Sequence, residues 1–430
     1  MKSKYVLFFS CLWCWSLSLQ AQYATSSVLG EGKWYKIATK EGGLYQLGTE
    51  ELRRLGIETN NLNPRFLKLY GHRNGMLPQA NNAPKIDDLE EMAIWVQGEE
   101  DGRWDSADRL LFYAQPADAW RYDAATQRFI HEKNLYSDEN FYFLHVGNSP
   151  GLRISTQESL PTAAQNISHF DDYLFYEPEL FNILNIDRNG GSGRFWYGDR
   201  FDLELQKTYR HQLEGLLPGS QLVLTSAVMG QFYIATEFTL AINGQNIGTQ
   251  ILPPINTGTY EFQGANQVQT FVLNINDANF ELRYSLNRNG QFRRAYLDYY
   301  RLQYKRSLRL YGQSTVFRSI ESLNSPSTEY VVAGNFADMQ IWDITAPLQP
   351  RRQAFQQEAT QLRFRAASTE LKEFLLWRNG VAYPLPRLLG AVANQDLHGL
   401  EVPNMVIVTA PDFWAEAERL AAFRRSHDGL

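Results

Sequence analysis

Over most of the chain, apolar and polar positions alternate in short stretches that turn-forming residues interrupt. Trp34-Tyr35-Lys36-Ile37, Phe66-Leu67-Lys68-Leu69-Tyr70 and Met92-Ala93-Ile94-Trp95-Val96 are runs of β-formers bounded by Gly, Asn and Pro, which predicts strands. Glu50–Gly56 breaks the rhythm and predicts a short helix, with Thr49 as cap and Gly56 as stop. Between about Phe195 and Lys305, strands are predicted over 221–225, 237–242, 269–275, 280–286 and 296–304. Asn243-Gly244 and Asn289-Gly290 supply tight turns among them. Strands at this spacing without a helical period suggest a jelly-roll-like sandwich. A smaller unit from about Tyr311 to Tyr383, with strands over 329–332, 339–342, 361–365 and 373–377, has the size of an immunoglobulin-like sandwich.

The C-terminal stretch is of another kind. Met405-Val406-Ile407-Val408 is a continuous apolar run, the mark of a strand buried on both faces. Asp412 follows as a candidate N-cap, then Trp414, Ala417, Leu420 and Ala421 recur at helical spacing, and Gly429 is placed to end the helix. This predicts one β–α unit of an open parallel sheet, which needs neighbours to be stable. The expected fold is a mainly β multi-domain chain, with a β-rich N-terminal module, a jelly-roll-like sandwich and a small Ig-like sandwich, followed by the opening β–α unit of an α/β domain. Expected boundaries are 1–21, 22–190, 191–310, 311–395 and 396–430.

The N-terminus changes the picture. Lys2 and Lys4 precede the apolar stretch Tyr5–Leu19, and Leu19-Gln20-Ala21 offers a cleavage site, so an exported chain starting at Gln22 is expected. Both cysteines, Cys11 and Cys14, fall inside that signal. The mature chain would then have no disulfide, no thiolate metal site and no cysteine nucleophile. A chain of this size can bury enough apolar surface to fold without disulfides. The net charge of −6 argues against bulk attraction to nucleic acid or anionic lipid, so no nucleic-acid partner is expected.

Candidate chemistry is sparse. Gly98–Asp108 (GEEDGRWDSAD) gathers Glu99, Asp101, Asp105 and Asp108 around Gly102. Carboxylates at this spacing could wrap a structural Ca²⁺, but a solvated acidic turn between strands is the favoured reading. The order of residues departs from the helix–loop–helix calcium pattern. Asp187–Tyr197 is glycine-rich but lacks the Gly-Lys-Ser/Thr of a phosphate loop. None of the seven histidines forms a metal-ligand motif, and no Gly-x-Ser-x-Gly occurs. Tyr296, Tyr299, Tyr300 and Tyr304 could stack on sugars, although alternation buries about half of them.

Several segments, taken in order, carry a resemblance. They are Gly32–Leu47 (GKWYKIATKEGGLYQL), Phe66–Asn74 (FLKLYGHRN), DGRWDSADRLLFY within Gly98–Tyr113 and SGRFWYGDRF within Asn189–Phe201. Ala295–Tyr304 (AYLDYYRLQY), Ile341–Pro347 (IWDITAP) and Pro403–Leu420 (PNMVIVTAPDFWAEAERL) complete the set. Together they resemble the N-terminal part of the gingipain-type cysteine peptidases that serve as sortases of type IX secretion. The last segment resembles the first β–α unit of the gingipain/caspase-like catalytic domain.

The resemblance implies an enzyme that removes C-terminal sorting signals from secreted cargo and transfers the new end to surface lipopolysaccharide. It implies no cofactor for catalysis, an outer-membrane β-barrel partner and a place at the cell surface. Its Cys nucleophile and His would lie beyond Leu430, and His427 does not take that role, so no catalytic residue is assigned and the stretch alone is expected to be inert. The competing reading is a non-catalytic exported module that binds a glycan or protein partner.

Overall fold

The computed structural model describes residues 24–73, 75–183, 191–256, 258, 261–334 and 337–430. The predicted export signal and both cysteines lie outside the described residues. Within them the chain is built from β-sheets in packed layers, with one short helix near the N-terminus and one longer helix at the C-terminus.

The first module packs a five-stranded antiparallel sheet against a three-stranded one. Trp34–Thr39 lies between Asn140–Val146 and Arg387–Val392, so a late strand closes the first sheet. Met92–Val96, expected as one strand, is split. Glu90–Met92 pairs with Leu67–Gly71 in the larger sheet, and Trp95–Gln97 pairs with Arg109–Ala114 in the smaller. The break falls where the Ala93 and Ile94 amides donate to Leu348 and Leu152 carbonyls, which carries the chain from one layer to the other. The helix is Thr49–Leu55, and Gly56 ends it in the left-handed region at φ 97°. Gly48, not Thr49, is the N-cap; its N–H donates to the Glu51 carboxylate at 2.9 Å. Leu52, Leu55, Tyr45, Phe112 and Tyr142 share the core beneath.

One ten-stranded sheet runs through the rest of the molecule. Asn279–Asn287 shows why its partner layers form: Phe280, Leu282, Tyr284 and Leu286 point inward and the intervening positions outward. With Gln206–Gln212, Thr236–Ile242 and Gln245–Leu252 that strand makes a four-stranded sheet. This sheet closes the jelly-roll-like core against Ser220–Gly230 and Ala295–Ser307. A second four-stranded sheet, around Ser327–Ala333 and Gln361–Ala367, covers Ser314–Arg318, Met339–Asp343 and Glu373–Arg378. His169–Tyr176 stitches the halves together: it pairs along its length with Ala295–Ser307 and meets Ser314–Arg318 where Asp171 faces Arg318. The mainly β, multi-sandwich architecture expected from the alternation is therefore present.

The two Asn-Gly turns differ. Asn243-Gly244, at φ 48° and 80°, joins Thr236–Ile242 to Gln245–Leu252 as a two-residue hairpin. Asn289-Gly290, at φ 46° and 76°, also turns the chain left-handed, but the strands it separates belong to different sheets.

At the C-terminus the helix is Trp414–Asp428, ended by Gly429 at φ 68°. Asp412 does not cap it; a single 3₁₀ turn, Pro411–Phe413, precedes it. Met405–Val408 forms no strand, because no neighbouring strand offers it a ladder. The segment instead runs beside the helix, so that Met405, Ile407, Trp414, Ala417 and Ala421 face a common cleft. No residue of 401–430 is buried.

Candidate functional site

The acidic turn is ordered by its own backbone. Glu99–Asp101 forms one 3₁₀ turn between Gly98 and Gly102, both left-handed at φ 91° and 77°. Three of the four carboxylates have partners that lie in different directions. Glu99 meets Arg153 at 2.7 Å, Asp101 accepts from the Arg103 amide at 2.9 Å, and Asp108 accepts from the Asp105 amide at 2.8 Å. The Asp105 carbonyl accepts from Thr49, whose hydroxyl also accepts from the Trp104 indole at 2.9 Å. Burial pushes the Asp108 carboxyl up from its ordinary value, against the Asp105 amide that holds it down. Glu99, Asp101, Asp105 and Asp108 are thus not brought to a common point. Among the described residues no group of three or more His, Asp or Glu side chains is placed to hold a metal ion.

The histidines are likewise occupied. His131 meets Asp118 at 3.1 Å, His169 meets Glu321 at 2.8 Å, His145 stacks on Trp34, and His211 shares a hydrogen bond with the Tyr300 hydroxyl. His427 sits on the exposed C-terminal helix against Asp428. Three of the four candidate sugar-stacking tyrosines, Tyr296, Tyr300 and Tyr304, are buried in the sandwich, and Tyr299 is half-buried. The Asp187–Tyr197 segment lies partly outside the described residues.

The concave feature that sequence reasoning missed is a cleft of about 560 Å³ where the first module meets the long sheet. Arg318 forms its floor. The antiparallel register of Ser314–Arg318 with Glu373–Arg378 sets Arg318 directly opposite Glu373, and the guanidinium donates to that carboxylate at 2.5 Å. It also lies 4.8 Å from the centre of the Tyr173 ring. Trp120, from the hairpin Ala119–Asp123 and Arg128–Glu132, stacks on Tyr173 with ring centres 3.8 Å apart. Tyr113 enters from the first module, and Thr345, Ala346 and Pro347 form part of the rim.

Burial pulls the Arg318 guanidinium down, but Tyr173 and Glu373 outweigh it and hold the charge. Burial also raises Tyr113 well above the ordinary phenol value and pushes Tyr173 up to about 12. The cleft therefore joins neutral phenols and one indole to two cations, Arg318 and Arg73, and to the carboxylates Glu41, Asp172 and Glu373. Such a surface can pack chain segments and position modules. Its sequence signal was faint. Val316 and Arg318 lie on the face of their strand that a two-layer sandwich would leave to water, so only a third layer makes them a site.

Sheets in packed layers, followed by one exposed C-terminal helix, define a multi-domain β-sandwich chain. Its fold is that of a PorU-like N-terminal portion. The crystal structure of dimeric latent PorU from Porphyromonas gingivalis superposes with a TM-score of 0.78 at 24% identity, over 95% of this chain and 37% of that one. The chain thus spans little more than a third of the length of the protein it matches. Two CBM36 carbohydrate-binding modules also match. One is in complex with calcium and xylotriose (TM-score 0.18, 10% identity, 28% of this chain and 97% of that one). The other is from a xylanase of the hindgut metagenome of Trinervitermes trinervoides (TM-score 0.20, 14% identity, 31% of this chain and 95% of that one). Superposition at that level carries no argument. No protein-family model matches the chain. No curated protein matches it either.

Proposed function

We propose that this chain is the N-terminal scaffold of a gingipain-type cysteine peptidase that acts as a sortase of type IX secretion. In this reading the complete enzyme removes C-terminal sorting signals from cargo and joins the new carboxyl end to a lipopolysaccharide amine. A thioester on a cysteine permits that transfer wherever an amine outcompetes water. The observation that carries the reading is the superposition on latent PorU over nearly the whole of this chain. The segment 403–428 supports it, because an apolar run and helix left uncovered are what the first unit of an α/β domain requires. Export, a cell-surface location and an outer-membrane β-barrel partner belong to the same proposal.

The described residues supply no cysteine, and in this reading the nucleophile lies outside them. The test is to incubate the purified chain from Gln22 to Leu430 with a cargo bearing a C-terminal sorting domain and to weigh the cargo by mass spectrometry. No cleavage is expected. Robust cleavage would overturn the scaffold reading. In the parent gene, a reading frame that continues past codon 430 into further β–α units with a His and a Cys is expected, and a stop codon there would count against it.

A further inference from the structure

Three loops at one end of the jelly-roll sandwich expose large apolar side chains that no described residue covers. They follow Arg200–Phe201, join Ser220–Gly230 to Thr236–Ile242, and join Asn279–Asn287 to Ala295–Ser307. Leu203 is 96% exposed and Phe292 93%; Tyr233 and Ile234 are exposed beside them. The loops hold one another. The Arg288 guanidinium donates to the Asp202 carbonyl at 2.8 Å, the Tyr233 amide donates to the Gln291 side chain at 3.0 Å, and the Asn289 amide group donates to the Ala235 carbonyl at 2.9 Å. The apolar tips therefore stand on a braced platform.

Charge marks what the platform faces. Arg288 lies over the Phe292 ring at 5.2 Å and Arg293 over the Tyr233 ring at 4.0 Å, and Arg294 is exposed next to them. Among the described residues none of the three has a carboxylate partner. Of the nearby acids, Asp202 is engaged with Arg200 at 2.8 Å and Glu204 with Lys207 at 3.0 Å, while Glu237 accepts from the Asn287 side-chain amide at 3.5 Å. Protruding aromatic and aliphatic tips ringed by unpaired guanidinium groups match the boundary of a bilayer, where apolar tips enter the acyl region and cations meet phosphate. A chain with net charge −6 that concentrates free arginines here has a local field opposite to its overall one.

We infer that these loops are a membrane-docking surface for a leaflet carrying anionic phosphate headgroups. This stands apart from the sortase reading and survives its failure, since neither a nucleophile nor cargo enters it. The test is flotation of the chain from Gln22 onward, which holds every described element, with phosphatidylcholine vesicles and with vesicles that also contain phosphatidylglycerol. Binding is expected to the anionic vesicles, to weaken as salt rises, and to be slight on the neutral ones.

The pair Leu203→Ser and Phe292→Ser should lower the partition coefficient by about tenfold or more. The pair Arg293→Glu and Arg294→Glu should remove the preference for anionic lipid. Val406→Ser with Val408→Ser, in the other exposed apolar stretch, should leave binding unchanged. An unaltered melting temperature certifies each variant, and the milder Phe292→Gln replaces any that melts early. The inference is overturned by absence of flotation with either vesicle, or by flotation that only the 406/408 pair abolishes. Loop-dependent binding to soluble polyglutamate without flotation would also overturn it, by making the loops a site for acidic protein.

Discussion

Arg318 and Glu373 face each other across two adjacent antiparallel strands, in a position where only 3% of the arginine surface reaches solvent. The strands belong to the long sheet, but the face that carries Arg318 looks toward the first module rather than toward the immunoglobulin-like core. The pair therefore sits at a seam between units, and its partners Tyr173 and Tyr113 come from either side of it.

Replacing Arg318 by Met should destabilise the protein by about 2 kcal/mol. Removing one member of a buried pair strands the other, at about 3–5 kcal/mol in fully buried cases. The Glu373 side chain keeps 37% of its exposure, so water takes up part of the deficit. Chemical denaturation should show a lower midpoint, and Glu373→Gln should cost less than Arg318→Met because the guanidinium keeps the Tyr173 ring. Equal midpoints for wild type and Arg318→Met would refute a stabilising role for the pair.

The acidic turn makes a sharper steric prediction. Gly98 is left-handed at φ 91°, and a Cβ there would fall 1.8 Å from an Asp108 carboxylate oxygen. Gly98→Ala should therefore cost about 2 kcal/mol, more than the roughly 1 kcal/mol of a strained backbone alone, because Asp108 must leave the Asp105 amide. Thermal melts compare it with Gly102→Ala, where a Cβ meets nothing within 4 Å and only the backbone cost remains. Calorimetric titration of the protein with Ca²⁺ is expected to be flat, since the four carboxylates do not converge. A saturable heat that Asp101→Asn and Asp108→Asn remove would restore the calcium reading.

A pH dependence follows from Asp298. Burial, then the neighbouring carboxylates Glu177 and Glu179, push its carboxyl up to about 7, and Lys133 offsets them only in part. A folded-state value above the ordinary 3.8 means that the native protein retains a proton which the unfolded chain releases. Stability from this group is thus intact below the ordinary carboxyl value and is lost as pH rises through about 7. Asp298→Asn should stabilise the protein at about pH 8, on the order of 2 kcal/mol, and make no difference near pH 4. Melting curves at the two pH values decide it; a substitution neutral at both would show that the carboxyl titrates normally.

The C-terminal segment carries a prediction of the opposite sign. Because no residue of 401–430 is buried, deleting residues 403–430 should leave the melting temperature unchanged. The same deletion removes the exposed Val406, Val408, Phe413 and Trp414 and should raise the concentration at which the protein stays monodisperse. Static light scattering on the two chains tests this, and a melting temperature several degrees lower would mean that the segment packs on the β modules.

Local chemistry was legible where one residue type decides one local conformation. The left-handed turns at Gly56, Asn243-Gly244 and Gly429, the short helix, and the strands whose inward and outward residues alternate cleanly all follow from backbone sterics and two-fold periodicity. The mainly β character of the chain could also be read from the sequence. The candidate site could not, and Glu373–Arg378 shows why. Phe374 and Leu376 enter the immunoglobulin-like core, while Leu375 and Trp377 enter a second core shared with Leu44, Leu111 and Tyr113 of the first module.

Its apolar run Phe374–Trp377 was a sign of burial on both faces, but nothing local names the second cover. The split of Met92–Val96 between two sheets, the late strand Arg387–Val392 closing on Trp34–Thr39, and the unpaired Met405–Val408 have the same origin. By itself the sequence determined which segments favour strand, helix or turn, because those preferences live in the backbone and the nearest side chains. Which layers stack, and so which arginine becomes buried and which loops stay bare, was decided only by tertiary contacts between residues hundreds of positions apart, since burial depends on all the surfaces that meet and not on any one of them.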